Sequence, residues 1–127
     1  MQRRGRIRNR LTLPTSSVDL AYMAGIIDGE GCVTVNNGSW RVTMDNTDEG
    51  LVLWFGSFGG TRPKSTQPKN PKHKIVHYWQ VTSNREVYRL LMALLPYLKV
   101  KRFKAEVALA DLNQRLDLAN YPLEIVS

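Results

Sequence analysis

The stretch LAYMAGIIDGEGCV, residues 20–33, constrains this chain more than any other. Its apolar residues recur at helical spacing as far as Asp28, yet it contains Gly25 and Gly29. Each glycine costs a helix interior about 1 kcal/mol relative to alanine, so something must offset them. Ala21, Gly25 and Gly29 are four residues apart and fall on nearly one helix face, stripped of side chains. A bare face lets a helix approach another element backbone to backbone; packing on its own sheet and pairing with a second copy both meet that description. Asp28 and Glu30 follow at the negative end of the helix dipole, where carboxylates are disfavoured. A two-fold pairing along the bare face would bring two Glu30 carboxylates together, and such charges repel unless cations lie between them.

At 127 residues the chain is expected to form one domain, with no need of disulfides or a structural metal. A formal charge of +7, from 18 Lys and Arg against 11 Asp and Glu, makes a polyanion the expected partner, nucleic acid ahead of a membrane surface. Cys32 is the only cysteine, which excludes an internal disulfide and a cysteine-based metal site. That usage suits an intracellular, reducing compartment: cytoplasm, nucleoid or organelle matrix. No apolar run approaches the roughly 18 residues of a membrane span, and the N-terminus lacks a secretory signal's apolar core, so no membrane partner is expected. The first seventeen residues, MQRRGRIRNRLTLPTSS, hold five arginines and no acid. They read as a flexible basic arm along phosphates, an organellar transit peptide or a solvated tail, with the domain proper over 18–127.

Ser16 and Asp19 supply a capping signal, so a helix is expected from about Val18 to about Asp28. Period-two alternation from Cys32 to Asn36 and again through Trp40, Val42 and Met44, around the turn residues NNGS, predicts a β-hairpin. DEGLVLWFGSFGG resumes helical spacing through Leu51, Leu53 or Trp54, and Phe58 until Gly59-Gly60 breaks it. Strands are expected over roughly 61–66 and 74–82, joined by the polar, proline-containing loop QPKNPKH. Two helices close the chain, with Asn84 as an N-cap and Pro96 interrupting the run between them. The expected order is α-β-β-α-β-β-α-α, an α+β chain.

MAGIIDGEG, residues 23–31, resembles the nine-residue signature of the LAGLIDADG homing endonucleases. Met23 replaces the usual leucine, and Gly29 and Glu30 stand for alanine and aspartate; Glu30 keeps the charge and adds one methylene. FGG at 58–60 and LLPYLKVKRFKA at 94–105 also resemble family patterns, and the element order matches over residues 18 to about 112. The resemblance implies an αββαββα fold with a four-stranded antiparallel sheet as a DNA-binding saddle, here with an extra C-terminal helix. It further implies that paired signature helices form a dimer interface, for which Ala21, Ala24, Gly25, Asp28 and Gly29 are the candidates. The last acid of each motif would bind a divalent cation beside a scissile phosphate, Glu30 acting with the Gly29 backbone carbonyl. Mg²⁺ suits that task, since it takes oxygen ligands and keeps waters; Mn²⁺ is a substitute. With one motif per chain, cutting both strands requires a homodimer.

By the same resemblance Lys101 would stabilise charge on the phosphate in the transition state; otherwise it is a solvated lysine at a helix start. Asp48 falls where the family often orders water around the nucleophile, and it equally suits an N-cap. Asp28 is expected to hydrogen-bond at the helix end rather than to bind metal.

Strand alternation sorts the sheet into two faces. Val33, Val35, Trp40, Val42 and Met44 are expected to face the helices. Thr34, Asn36, Arg41, Thr43 and Asp45 face away. Arg62, Lys64 and Thr66 share one parity on the next strand, and Val76, Tyr78, Gln80 and Thr82 share one on the last. These are side chains that can read base edges from a β-ribbon in a major groove, whereas Lys69, Lys72 and Lys74, with His73, suit phosphate contacts. A histidine metal pair of His73 and His77 is disfavoured without nearby cysteines.

The expected function is therefore site-specific cleavage of double-stranded DNA at a long pseudo-palindromic target, with no small-molecule substrate. The alternative is a non-cleaving DNA- or RNA-binding protein of the same fold, an intron maturase or a regulator. A third option uses the bare helix only for oligomerisation.

Overall fold

The computed structural model describes residues 10–116. Helix α1 spans Ser17–Glu30. The Ser16 hydroxyl caps it by accepting from the N–H groups of Val18 (3.1 Å) and Asp19 (3.2 Å), donors that a helix start leaves without partners. The helix runs two residues past Asp28, so Glu30 is its last residue. At Gly31 a Cβ would lie 3.0 Å from the carbonyl oxygens of Ile27 and Thr43, a close approach only glycine allows without displacement.

Strands β1 (Gly31–Asn36) and β2 (Ser39–Asn46) turn at Asn37 and Gly38, with φ of 52° and 79°. That left-handed pair gives a two-residue hairpin the twist its strands require. Helix α2 (Glu49–Gly56), strands β3 (Lys64–Ser65) and β4 (His77–Val81), helix α3 (Asn84–Leu94), a 3₁₀ turn at Leu95–Tyr97 and helix α4 (Arg102–Leu116) follow. The strands form one antiparallel sheet in the order β1-β2-β4-β3. The architecture is the expected αββαββα with α4 appended.

The helices cover one side of the sheet. Val33, Trp40, Val42, Met44, Trp79 and Val81 pack from the sheet against Met23, Ala24 and Ile27 of α1, Val52 and Phe55 of α2, and Leu90, Leu91 and Leu94 of α3. Ala105 and Ala108 bring α4 close, and Leu112 fills the space beyond them. Trp54, not Leu53, is the packed member of its pair: it meets Tyr22, Phe55 and Phe58 edge-on at 5.0–5.4 Å, while Leu53 is exposed.

Four expectations need correction. Val35 has the parity of the packed face but is 45 % exposed, although Trp40 opposite it on β2 is buried. Strand β3 is only two residues long, with single bonds to β4 on either side of it, from Thr61 N–H to Gln80 O and from Thr66 N–H to Val76 O, both 2.9 Å. Ser83 rather than Asn84 occupies the N-cap of α3, and the Asn84 side chain instead holds the hairpin, accepting from Trp40 N–H (2.8 Å) and donating to Gly38 O (3.0 Å). The boundary at residue 17 falls too late. Leu11 is buried, Thr12 N–H donates to Phe58 O (2.7 Å) and Arg89 donates to Leu11 O (2.8 Å). The arginines before residue 10 lie outside the described residues.

Candidate functional site

Residues directly opposite on adjacent strands share a face, so the register lays out the uncovered side of the sheet row by row. Thr34 stands opposite Arg41, Cys32 opposite Thr43 and then Gln80, and Asp45 opposite Tyr78 and then Lys64. Asn36 faces Ser39 at the hairpin end. The register left open by the sequence on β4 is resolved: Trp79 and Val81 point into the core, and Tyr78 and Gln80 point away with Val76. Lys64 and Thr66 extend this surface, and Arg62 is exposed beside Pro63. Thr82 lies past the end of β4 and lines a shallow cleft with Gly60, Thr61 and Glu86, so strand parity does not place it on this face. Lys69, Lys72 and Lys74 are exposed in the connecting loop, where Asn70 holds a turn by accepting from Lys72 N–H (2.9 Å) and His73 N–H (2.9 Å). His73 is exposed in that loop, whereas the Nδ1 of His77 pairs with the Ser65 hydroxyl at 2.7 Å. Cys32 and Ser39 belong to the outer face and were missed; the hairpin register would have found both.

The second constellation gathers at the end of α1. Glu30 is exposed and accepts a hydrogen bond from the side-chain amide of Asn46 at 3.3 Å. Asn46 was also missed. Its signal is a polar residue at the strand end with the parity of Trp40, Val42 and Met44. The Asp28 carboxylate accepts from the backbone N–H groups of Lys99 (2.7 Å) and Lys101 (2.9 Å), while the Lys101 ammonium donates to the Asp28 backbone carbonyl at 2.7 Å. Partial burial alone would raise the Asp28 pKa; the amides of Lys101, Lys99 and Val100, with the Lys101 charge, hold it below the ordinary carboxylate range. Lys101 is thus half-buried and bonded, not a freely solvated lysine. Asp48 takes the N-cap of α2, accepting from Leu51 N–H at 3.2 Å, and Asn46 occupies the place beside Glu30.

The third feature is the bare face of α1. Ala21, Gly25 and Gly29 are exposed, and a Cβ on Gly25 or Gly29 would meet nothing within 4 Å. Packing on the chain's own sheet therefore does not account for these glycines. Of the other expected members, Ala24 is fully buried in the core, one position round the helix, and Asp28 is half-buried and bonded to residues 99–101 of its own chain. Val18 and Tyr22, 74 % and 52 % exposed, flank the stripe instead.

No family model and no curated protein matches the sequence. Solved structures do match in shape. The homing endonuclease I-CvuI, in complex with the I-CreI target in the presence of Mg with the DNA not cleaved, superposes at a TM-score of 0.60 with 19 % identity, over 80 % of this chain and 69 % of that one. I-CvuI with its own target in the presence of Ca gives 0.61 and 21 % over 76 % and 66 %. The archaeal intron-encoded homing endonuclease I-Vdi141I, complexed with DNA, gives 0.62 and 14 % over 79 % and 70 %. This chain has the LAGLIDADG homing-endonuclease fold.

Glu30 ends α1, and its carboxylate stands beside the last carbonyls of that helix. The donors there are a carboxylate and the last carbonyls of the helix, hard oxygen ligands at the negative end of a dipole, which suit Mg²⁺ or a similar cation. Among the described residues no three His, Cys, Asp or Glu side chains come together as a metal site. Among the described residues no helix is long and apolar enough to cross a membrane.

Proposed function

We propose that this chain is a site-specific, divalent-metal-dependent DNA endonuclease that works as a homodimer on a long, nearly palindromic duplex. The observation that carries the reading is the exposed Glu30 carboxylate at the end of a helix whose bare face no part of the described chain covers, with the Lys101 ammonium held on the Asp28 carbonyl of the same helix end. Two such helices in two-fold contact set two Glu30 carboxylates side by side, with room between them for cations and the oxygens of a phosphodiester. A divalent cation, Mg²⁺ or Mn²⁺, would supply Lewis acidity and lower the pKa of a water so that hydroxide is available as the nucleophile. Glu30, with the Gly29 carbonyl, would hold the cation, and the Asn46 amide, bonded to one oxygen of Glu30, would fix the carboxylate. The Lys101 ammonium faces the charge that develops on the phosphate.

The uncovered sheet face suits base reading in a major groove, through Arg41, Gln80, Tyr78 and their neighbours, and the loop lysines suit phosphates. The neighbours of like fold are described as bound to DNA, which supports the same partner here. The test is Glu30→Gln. Cleaved targets are first selected from a randomised duplex library with Mg²⁺, and the selected duplex is then offered to the variant. The variant is expected to bind with near-normal affinity and to cut neither strand. A variant that cuts at the normal rate overturns the metal assignment, and a parent that binds duplex DNA but yields no cleaved targets establishes the non-cleaving reading.

A further inference from the structure

Asp28 stands in the last turn of α1 with its charge at the wrong pole, and the structure gives that charge a second use. Ala105 N–H already donates to Lys101 O at 2.9 Å, so Lys101 stands where the ladder of α4 begins. The Asp28 carboxylate collects the N–H groups of Lys99 and Lys101 just ahead of α4, from another helix more than 70 positions earlier in the chain. Lys101 returns the bond through its side chain, its ammonium capping a terminal carbonyl of α1. The carboxylate is unfavourable to the dipole of α1 and favourable to that of α4; the ammonium is favourable to α1.

We propose that Asp28 is the positioning residue for Lys101. By fixing the backbone of residues 99–101 against the end of α1, it delivers a flexible lysine ammonium to the edge where Glu30 stands. This rests on the reading of Glu30 and Lys101 as the reacting groups, but the placement of the ammonium can be measured without cleavage.

The full-length protein, free of metal and DNA, is acetylated briefly with an N-hydroxysuccinimide ester, and each lysine is read by peptide mass spectrometry. A hydrogen-bonded Lys101 is expected to label about fivefold more slowly than Lys99 or Lys104. Asp28→Ala should bring Lys101 to the rate of its neighbours, and Asp28→Asn, which keeps one acceptor oxygen, should lie between. Equal labelling of Lys101 in the parent and both variants overturns the proposal. Should Asp28→Ala fail to fold, the Asn variant decides.

Single-turnover cleavage gives the second reading. Asp28→Ala and Lys101→Met should each slow the cut strand while target affinity stays within about threefold, and the double variant should be no slower than Lys101→Met alone. Multiplying losses in the double variant overturn the proposal. A parent that does not cleave fails the endonuclease reading instead, and labelling then decides the role of Asp28.

Discussion

Asn46, the last residue of β2, donates its side-chain amide to the carboxylate of Glu30, the last residue of α1, over 3.3 Å. The bond joins the end of the sheet to the end of the helix at the point where a cation would be held. A carboxylate with one oxygen tethered keeps its remaining lone pairs aimed in a narrower range. Asn46→Ala is therefore expected to slow single-turnover cleavage about fivefold, the value of one modest hydrogen bond, with unchanged target affinity and melting temperature. A fall in melting temperature comparable to a core substitution would show that the bond serves the fold instead.

Gly25 makes a prediction of opposite signs for protomer and dimer. A Cβ there meets nothing within 4 Å, so Gly25→Ala should stabilise an isolated protomer by about 1 kcal/mol through helix propensity alone. Gly25→Leu should keep the protomer folded and abolish its association, read as halved mass by light scattering. A normal dimer from Gly25→Leu would remove the bare face from the interface.

Arg41 stands exposed on the outer face, opposite Thr34 on one side of its strand. If its guanidinium forks onto a guanine edge, Arg41→Ala should cost about 1–3 kcal/mol at one base pair in each half-site and relax selection there. Selection of cleaved sites from a randomised library reads this directly. Binding weakened equally for every sequence, with a shallower salt dependence, would assign Arg41 to a phosphate.

Asp111 ties the hairpin to α4. Its Oδ2 accepts from the Trp40 indole (2.7 Å) and from Arg115 Nε (2.6 Å). The indole bond first, and the Arg115 bond and charge with it, hold the Asp111 pKa below the ordinary range. A carboxyl whose folded pKa is depressed contributes stability in full above its unfolded value, about 3.9, and loses it as pH falls through the folded value. The stability difference between the parent and Asp111→Asn, followed by tryptophan fluorescence in urea, should be constant from about pH 7 to about pH 5 and close below about pH 4. A difference that grows on acidification would contradict the assignment.

Much of this molecule is legible in local sequence patterns. Helix α1, the hairpin and the element order follow from the Ser16 cap, the period-two run through Trp40, Val42 and Met44, and the Asn37-Gly38 turn. These are relations between residues close in the chain, where side-chain period and turn chemistry dictate backbone geometry. The same locality explains the misjudged ends. Strand β3 shrinks to Lys64–Ser65 through its pairing with β4, and Leu11 leaves the basic arm because Arg89 holds its carbonyl and Phe58 accepts from the next N–H.

By itself, then, the sequence determined that a bare helix ends in two acids ahead of a polar-faced hairpin, since spacing of four and alternation of two are written along the chain. Tertiary structure alone decided what each acid does. Glu30 meets Asn46 sixteen residues on, Asp28 meets Lys101 seventy-three residues on, and Asp48, weighed for the same site, turns to cap α2. Those partners depend on where the helix ends land against the sheet and α4. No local pattern carries that, because the contacts form only once the shared core has set the distances between elements.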